Sequence, residues 1–209
     1  LDALNDVENV PGIKIFMGSS TGDLLVSDTK DLDNIFGNGS RLIAVHAEDD
    51  DIINAAQEIY KNSTDFNHHQ FVRPADAALK ATTLAVELSI KYQRRLHILH
   101  LTTLDEVRYL EIQKSKAPIS AEVCPQHFLL SAPHVYQKLG AYAQMNPPIR
   151  DLQHGEALWD GLVNGVIDCI ATDHAPHTHE EKAKPFGQAP SGMPGVETSL
   201  PMLLDRTNR

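Results

Sequence analysis

Residues 41–61 read RLIAVHAEDDDIINAAQEIYK, an apolar run followed at once by an acidic, amphipathic segment. The run 41–48 is rich in Leu, Ile and Val and carries His46 near its C-terminal end, which predicts a buried strand. The segment 49–61 opens on aspartates, which suit the positive end of a helix dipole. This stretch therefore predicts one strand followed by one helix.

The same alternation extends in both directions along the chain. Further strands are predicted at 12–18, 95–101, 118–124 and 165–174. Further helices are predicted at 73–93 (with Pro74 in the first helical position), 104–116, 151–165 (ending at a glycine) and 197–206. The strands are apolar on both alternating faces, as expected for a parallel sheet covered on both sides.

Repeated strand–helix units predict an α/β fold with a parallel sheet, in one domain over residues 1–209. An open doubly wound sheet and a closed (β/α)₈ barrel both fit this pattern. The chain contains no GxGxxG and no P-loop, which weakens the nucleotide-binding version of the open sheet.

The composition argues against several classes of function. The net charge of −10 argues against a nucleic-acid surface, and no apolar run of about 18 residues predicts a membrane span. The first ten residues are acidic and do not resemble a signal peptide. Cys124 and Cys169 lie in predicted strands, so we expect buried thiols in a reduced, cytoplasmic protein.

Polar residues recur towards the C-terminal ends of the predicted strands, and four of them are Lys14, His46, His100 and Asp173. Each has an ordinary explanation on its own: a solvent-reaching lysine, a hydrogen-bonded core histidine or a helix N-cap. In a parallel α/β barrel, however, the C-terminal ends of all strands meet on one face, where active sites lie. The set would suit zinc or a similar divalent ion.

The region 171–182, ATDHAPHTHEEK, is the densest of these signals. Asp173 is followed four residues later by His177 in a turn stiffened by proline, an arrangement suited to proton transfer beside a bound substrate. His174 and His179 are assigned mainly to loop structure or exposed surface.

Six blocks of sequence, in order, resemble the dihydroorotase family of the amidohydrolase superfamily. They are GIKIFMGSSTG (12–22), VHAE (45–48), HILHL (97–101), MNPPIR (145–150), DHAPHTHEEK (173–182) and SGMPGVET (191–198). The resemblance implies a (β/α)₈ barrel of the metallo-dependent hydrolase kind, of which this chain holds about the fourth to the eighth strand. It also implies reversible conversion of dihydroorotate and water to N-carbamoyl-aspartate, in de novo pyrimidine biosynthesis.

The resemblance further implies a pair of zinc ions bridged by Lys14, whose amine would be carboxylated. His46 and His100 would bind one ion, and Asp173 would bind the other and act as general acid and base. Carboxylation needs a neutral amine, which burial near cations favours by lowering the lysine pKa. His/carboxylate sites also accept Co, Mn or Fe, so the metal stays open.

The same matching assigns substrate contacts and one mobile segment. Asn146 and His177 would contact the substrate, and the backbone at Ser191 and Gly192 would close around it. The loop 18–23 resembles the family's flexible active-site loop, and Glu122 stands where some members place an extra metal ligand. A homodimer is expected, and a transcarbamoylase is a possible partner.

Two features of the family are absent. No His-x-His precedes Lys14, and the substrate arginine that usually follows that motif is missing. We interpret both as truncation. We expect the chain alone to leave the barrel open, to expose apolar strand edges and to lack full activity.

Three alternatives remain open. The chain could come from another cyclic amidohydrolase, such as a dihydropyrimidinase, hydantoinase or allantoinase. It could come from a non-catalytic scaffold that supports a transcarbamoylase, although the ligand positions that the chain covers are filled. It could also be an unrelated α/β binding protein whose histidines coincide by chance.

Overall fold

Five parallel strands form the centre of the fold in a computed structural model that describes residues 7–19 and 24–208. The strands are adjacent in chain order: β1 (Gly12–Phe16), β2 (Leu42–His46), β3 (Leu96–Ile98), β4 (Ile119–Val123) and β5 (Cys169–Ile170). All four pairings are parallel, so the C-terminal ends of the strands lie at the same edge of the sheet.

Helices connect consecutive strands, as the alternating pattern predicts. The longer ones are α1 (Thr29–Gly37), α2 (Asp50–Tyr60), α4 (Ala75–Tyr92), α5 (Leu104–Gln113), α8 (Leu152–Val163) and α10 (Ser199–Thr207). The shorter ones are α3 (His69–Val72), α6 (Pro125–Leu129), α7 (His134–Leu139) and α9 (His179–Lys182). Single turns of 3₁₀ helix at Phe66–His68, Lys114–Lys116 and Gly140–Ala143 complete the described elements.

Side-chain caps fix where several helices begin. The Asp49 carboxylate accepts a hydrogen bond from the backbone N–H of Ile52 at 3.0 Å, which starts α2 directly after the second strand. Thr103 and Glu106 form a capping box at the start of α5. Such caps satisfy backbone donors that a helix leaves unpaired, so each strand passes into its helix within a few residues.

The hydrophobic core lies between the helices and one face of the sheet. Residues of that face alternate along the strands and are fully or almost fully buried: Ile15, Ile43, Val45, Leu96, Ile98, Ile119, Ala121 and Val123. The opposite face carries Lys14, His97, Ser120 and Glu122, which are only partly buried or exposed. The expectation of strands apolar on both faces is therefore wrong, because the second face carries polar side chains.

Several boundaries differ from the prediction. The last strand is two residues long rather than ten, and both of its residues are exposed, so the expected burial of Cys169 is wrong while that of Cys124 is right. Pro74 is the N-cap of α4, one position before the first helical residue. Gly165, with φ of +76°, lies one residue beyond the Asn164 cap of α8.

The first helix, α1, is absent from the prediction, although its N-cap is readable in the sequence. The Asp28 carboxylate accepts hydrogen bonds from the backbone N–H groups of Lys30 and Asp31 at 2.7 and 3.2 Å. Leu32 and Phe36, four residues apart, are the buried positions of this nine-residue helix. Its short, mostly polar sequence gives only a narrow apolar stripe, which explains the omission.

The sheet is open within the described residues. The first strand pairs only with the second and the last only with the fourth, so no pairing joins the two outer strands across residues 7–19 and 24–208. This agrees with the expectation that the chain alone leaves a barrel open. None of the helices in these two ranges combines the length and apolar character that crossing a bilayer requires.

Candidate metal centre and substrate cleft

His46 and His100 meet at the C-terminal edge of the sheet. His46 ends β2 and His100 follows β3, and both side chains are buried. The His46 Nδ1 and the His100 Nε2 lie 3.0 Å apart, with the ring planes at 75°. The structure thus brings together two residues that lie 54 positions apart in the sequence, as the parallel-sheet argument predicts.

A buried ion pair between Glu48 and Arg73 orients His46 through its Nε2, the ring nitrogen that does not face His100. The His46 Nε2 lies 2.9 Å from a carboxylate oxygen of Glu48, which is fully buried and is also bound by the guanidinium of Arg73. Burial alone would raise the pKa of Glu48, but Arg73 and His46 outweigh burial and hold that pKa below its usual range. Glu48 therefore stays ionised and fixes the tautomer of His46, leaving the Nδ1 lone pair directed at His100.

The backbone is strained at two of the predicted ligands. His100 has φ of +36° and Asp173 has φ of +43°, in the left-handed region that side chains other than Gly seldom adopt. Such conformations cost on the order of 1–3 kcal/mol each and cluster at functional sites. The sequence gives no sign of this strain.

Asp173 lies within electrostatic range of two of the other predicted ligands, Lys14 and His46. Burial raises the pKa of Asp173 and Glu122 adds to the rise, whereas Lys14 and His46 oppose it. Lys14 extends from the partly polar face of the sheet, where its Nζ lies 4.5 Å from the centre of the Phe16 ring. Its side chain is exposed in this chain, so the burial that would favour carboxylation is not provided by the described residues.

A cleft of about 490 Å³ lies among the segments that follow β2 and β4 and the loop before α10, and none of the four predicted metal ligands lines it. Asn146 and Ser191, two of the predicted substrate contacts, line it together with His69 and Arg73. Arg73 lines the cleft and also binds Glu48, the carboxylate that orients His46. Arg73 therefore connects the cleft to the histidine pair. In the loop 18–23, residues 20–23 lie outside the described residues.

His177 and Gly192, the other two predicted substrate residues, lie against each other. The His177 Nε2 donates to the Ser191 carbonyl at 3.1 Å, so in this structure the ring supports the loop that carries Ser191. The Gly192 N–H donates to the Gln144 carbonyl at 2.8 Å. His174 and His179 are exposed, as expected for loop residues.

Replacing Gly192 with Ala is expected to destabilise this loop. A Cβ at Gly192, whose φ is +148°, would lie 2.6 Å from the Ala175 carbonyl oxygen and 2.8 Å from the His177 Nε2. We expect a loss of roughly 1–3 kcal/mol in the free energy of unfolding, measured by urea denaturation of the full-length protein. Gly187→Ala is the control, because Gly187 also has a positive φ, of +83°, but has open space around it. Equal losses in the two variants would contradict the role of the contacts.

Two buried histidines, His69 and His127, are predicted to make the stability of the fold depend on pH. His69 donates to the Met145 carbonyl at 2.8 Å and His127 to the Pro147 carbonyl at 3.0 Å. Burial lowers the pKa of each from 6.5 to about 4. Their neutral forms stabilise the fold fully above pH 6.5, and this contribution is lost as pH falls towards 4, because the unfolded chain takes up the protons first.

For each of these histidines we expect the free energy of unfolding to fall by about 2 kcal/mol between pH 7 and pH 5. His127→Gln, which does not titrate in this range, is expected to reduce the pH dependence by about that amount. The exposed His134 provides the control, His134→Gln, which should leave the dependence unchanged. A His127→Gln variant with the full dependence of the parent would contradict this account.

Lys182 joins the segments on either side of the cleft, a role that the sequence does not indicate. Its buried Nζ donates to the carbonyls of Ala141, Gln144 and Pro190 at 3.1, 3.2 and 2.8 Å. Burial lowers the pKa of Lys182 to about 8. Glu48, Arg73 and Lys182 are thus supporting residues that sequence reasoning missed, although two of them lie inside the blocks VHAE and DHAPHTHEEK.

The residues at the edge of the sheet fit a divalent metal ion. In the described part of the chain the buried His100 Nδ1 has no hydrogen-bond partner, and two histidine nitrogens face each other at 3.0 Å. A shared cation satisfies two facing lone pairs, and imidazole nitrogens are preferred ligands of zinc and related metals. Glu48 supplies the outer contact that metal-binding histidines usually make.

The chain is similar in sequence to curated dihydroorotases. It is 38% identical over 201 residues to the dihydroorotase of Methanosarcina acetivorans, which covers 91% of this chain and 43% of that relative. It is 35% identical over 198 residues to the dihydroorotase of Halobacterium salinarum, covering 94% and 45% respectively. The chain therefore spans less than half the length of these relatives. No protein-family model matches it.

Solved structures of related amidohydrolases share the fold. The L-hydantoinase (dihydropyrimidinase) of Arthrobacter aurescens superimposes with a TM-score of 0.85 at 29% identity, over 91% of this chain and 44% of that one. The dihydropyrimidinase of Brevibacillus agri superimposes with a TM-score of 0.85 at 25% identity, over 97% and 47%. The prediction of a partial amidohydrolase barrel of the TIM type is confirmed.

Proposed function

The chain belongs to the dihydroorotase family of amidohydrolases, and we propose that the whole protein is a metal-dependent cyclic amidohydrolase acting on dihydroorotate. The reaction is the reversible opening of the ring amide by water to give N-carbamoyl-aspartate, a step of de novo pyrimidine biosynthesis. The contact that carries the proposal is the 3.0 Å approach of His46 and His100, oriented by the buried Glu48–Arg73 pair.

We assign the metal ligands to Lys14, His46, His100 and Asp173, with a pair of zinc ions and a carboxylated Lys14 as the expected state. When bound, the metal supplies Lewis acidity for hydrolysis of the ring amide. His46 and His100 occupy the buried edge of the sheet, and Asp173 follows the last strand at the same edge. The proposal thus draws its four ligands from β1, from the end of β2 and from the segments after β3 and β5, as sites of parallel barrels usually do.

Asp173 carries the proton in the proposed reaction. Its carboxylate accepts a proton from the attacking water and delivers it to the ring nitrogen as the C–N bond breaks, so the base of one step is the acid of the next. The higher pKa that burial gives Asp173 favours this exchange, because the protonated form becomes accessible. The reverse sequence closes the ring of N-carbamoyl-aspartate.

The substrate is proposed to bind in the 490 Å³ cleft, against Asn146 and Ser191. The Ser191 hydroxyl accepts a hydrogen bond from the Gln144 amide at 3.0 Å, which fixes its direction. His177 and Gly192 shape the loop that closes this side of the cleft. The arrangement suits a small, polar ring held by hydrogen bonds.

A comparison of substrates tests the proposal. The full-length, zinc-loaded protein is expected to open dihydroorotate with a kcat/KM at least about 100-fold above its values for hydantoin and allantoin, because a site built for one substrate's polar groups leaves them unpaired with another. A preference for hydantoin would favour the dihydropyrimidinase group, whose solved structures share this fold. Absence of turnover on all three substrates would favour a non-catalytic scaffold.

We also propose a homodimer in the cytoplasm, with a transcarbamoylase as a possible partner. These assignments come from the family resemblance alone. Sedimentation of the full-length protein, with and without a transcarbamoylase from the same source, tests both associations.

A further inference from the structure

Three potential metal ligands of different chemistry meet on the partly polar face of the sheet, outside the His46–His100 contact. His97 lies on β3, Glu122 on β4 and Cys169 on β5. Glu122 and Cys169 are direct partners in the parallel register. A ring nitrogen, a carboxylate oxygen and the thiol sulfur of these residues all lie within 4.8 Å of one another.

The hydrogen bonds of His97 direct one ring nitrogen into this group. Its Nδ1 lies 2.8 Å from the Ser120 hydroxyl, and that hydroxyl also lies 3.4 Å from the Leu96 carbonyl. Its Nε2 lies 3.0 Å from a Glu122 oxygen, so in the metal-free protein the Nε2–H donates to that carboxylate while the Ser120 hydroxyl donates to the Nδ1. A divalent cation that displaces this shared proton would take the Nε2 and the carboxylate oxygen as ligands, because metal binding releases protons from its ligands.

Cys169 completes the group with a sulfur ligand. It is a free cysteine on β5, the outer strand of the described sheet. Burial and the nearby carboxylate of Glu122 raise its pKa, which keeps the proton on the sulfur until a metal displaces it. The rigid, paired strands hold the ligand backbones, as a built site requires.

We propose that His97, Glu122 and Cys169 form a separate binding site for a borderline divalent cation such as Zn²⁺. One nitrogen, one oxygen and one sulfur ligand match the ligand types of zinc, and the remaining position is open to water or another group. With a cation on the Nε2, the Ser120 hydroxyl 2.8 Å from the Nδ1 would accept the Nδ1 proton, the usual outer contact of a metal-binding imidazole. This site does not depend on the proposed catalytic activity.

Cobalt substitution of the full-length protein tests the site. Only a thiolate ligand gives a near-ultraviolet charge-transfer band with Co²⁺, so the His/carboxylate centre does not contribute to it. We expect the band to saturate at one equivalent of Co²⁺, to disappear in Cys169→Ser and to persist in Cys124→Ser, whose thiol is buried and does not belong to the His97–Glu122–Cys169 group. His97→Ala is expected to weaken Co²⁺ binding by the band at least tenfold.

Circular dichroism of each variant confirms that it is folded before titration. No band in the parent protein, or a band that survives Cys169→Ser, overturns the proposal. Loss of the band in Cys124→Ser with its retention in Cys169→Ser does the same. Turnover of dihydroorotate is measured separately, so failure of the catalytic assignment is distinguishable from failure of this site.

Discussion

Asp173→Asn in the full-length protein is expected to lower kcat for opening dihydroorotate by roughly 10²–10⁴-fold, the usual contribution of a general acid and base. The amide of Asn cannot accept the proton of the attacking water and return it to the ring nitrogen. The backbone at residue 173, with φ of +43°, tolerates Asn as well as Asp. Loss of activity would therefore reflect chemistry rather than a broken turn.

The control for this prediction is Asp160→Asn, at an exposed position of α8. Steady-state kinetics should give this variant the kcat of the parent. Thermal unfolding of both variants checks that each is folded. If Asp173→Asn kept more than about a tenth of the parental kcat, Asp173 would not be the proton carrier.

Arg73→Met is expected to lower the free energy of unfolding by about 3–5 kcal/mol, because it leaves the buried carboxylate of Glu48 without its main partner. The same change should weaken zinc binding at His46 by about 10–100-fold, since Glu48 would no longer be held against the ring. Urea denaturation and competition with a chelator measure the two effects. Arg73→Lys should recover only part of either, because a lysine cannot reproduce the two-point guanidinium contact.

Lys80→Met provides the matched control for the ion pair. Lys80 pairs with Asp49 at 2.8 Å, but its side chain is more than half exposed, at 57%. Surface pairs of this kind contribute about 0–1 kcal/mol, so little change is expected. A loss in Arg73→Met no larger than that in Lys80→Met would show that the buried pair is not an important support of the site.

Parallel-sheet geometry made the approach of His46 and His100 predictable. His46 comes one residue after Val45 and His100 two residues after Ile98, the register partner of Val45, and adjacent parallel strands bring such points together. The supporting contacts were not predictable in the same way. Arg73 reaches Glu48 across 25 positions from the turn before α4, and no periodicity marks a side chain that acts from a connecting segment.

The end of the sheet shows a second limit of sequence reasoning. The run 165–174 is apolar enough for a long buried strand, yet only Cys169 and Ile170 pair with β4, and both are exposed. Apolar content predicts burial only where another layer covers the residue. Here the described residues cover only one face of the sheet and include no strand beyond β5.

Zinc content of the full-length protein and of its His46→Ala, His100→Ala double variant, measured by elemental analysis after dialysis, tests the central claim most directly. The two facing imidazoles are expected to hold a metal ion, so the double variant should contain at least about one zinc ion per chain less than the parent. Equal zinc contents in the two folded proteins would contradict a metal centre at this edge of the sheet.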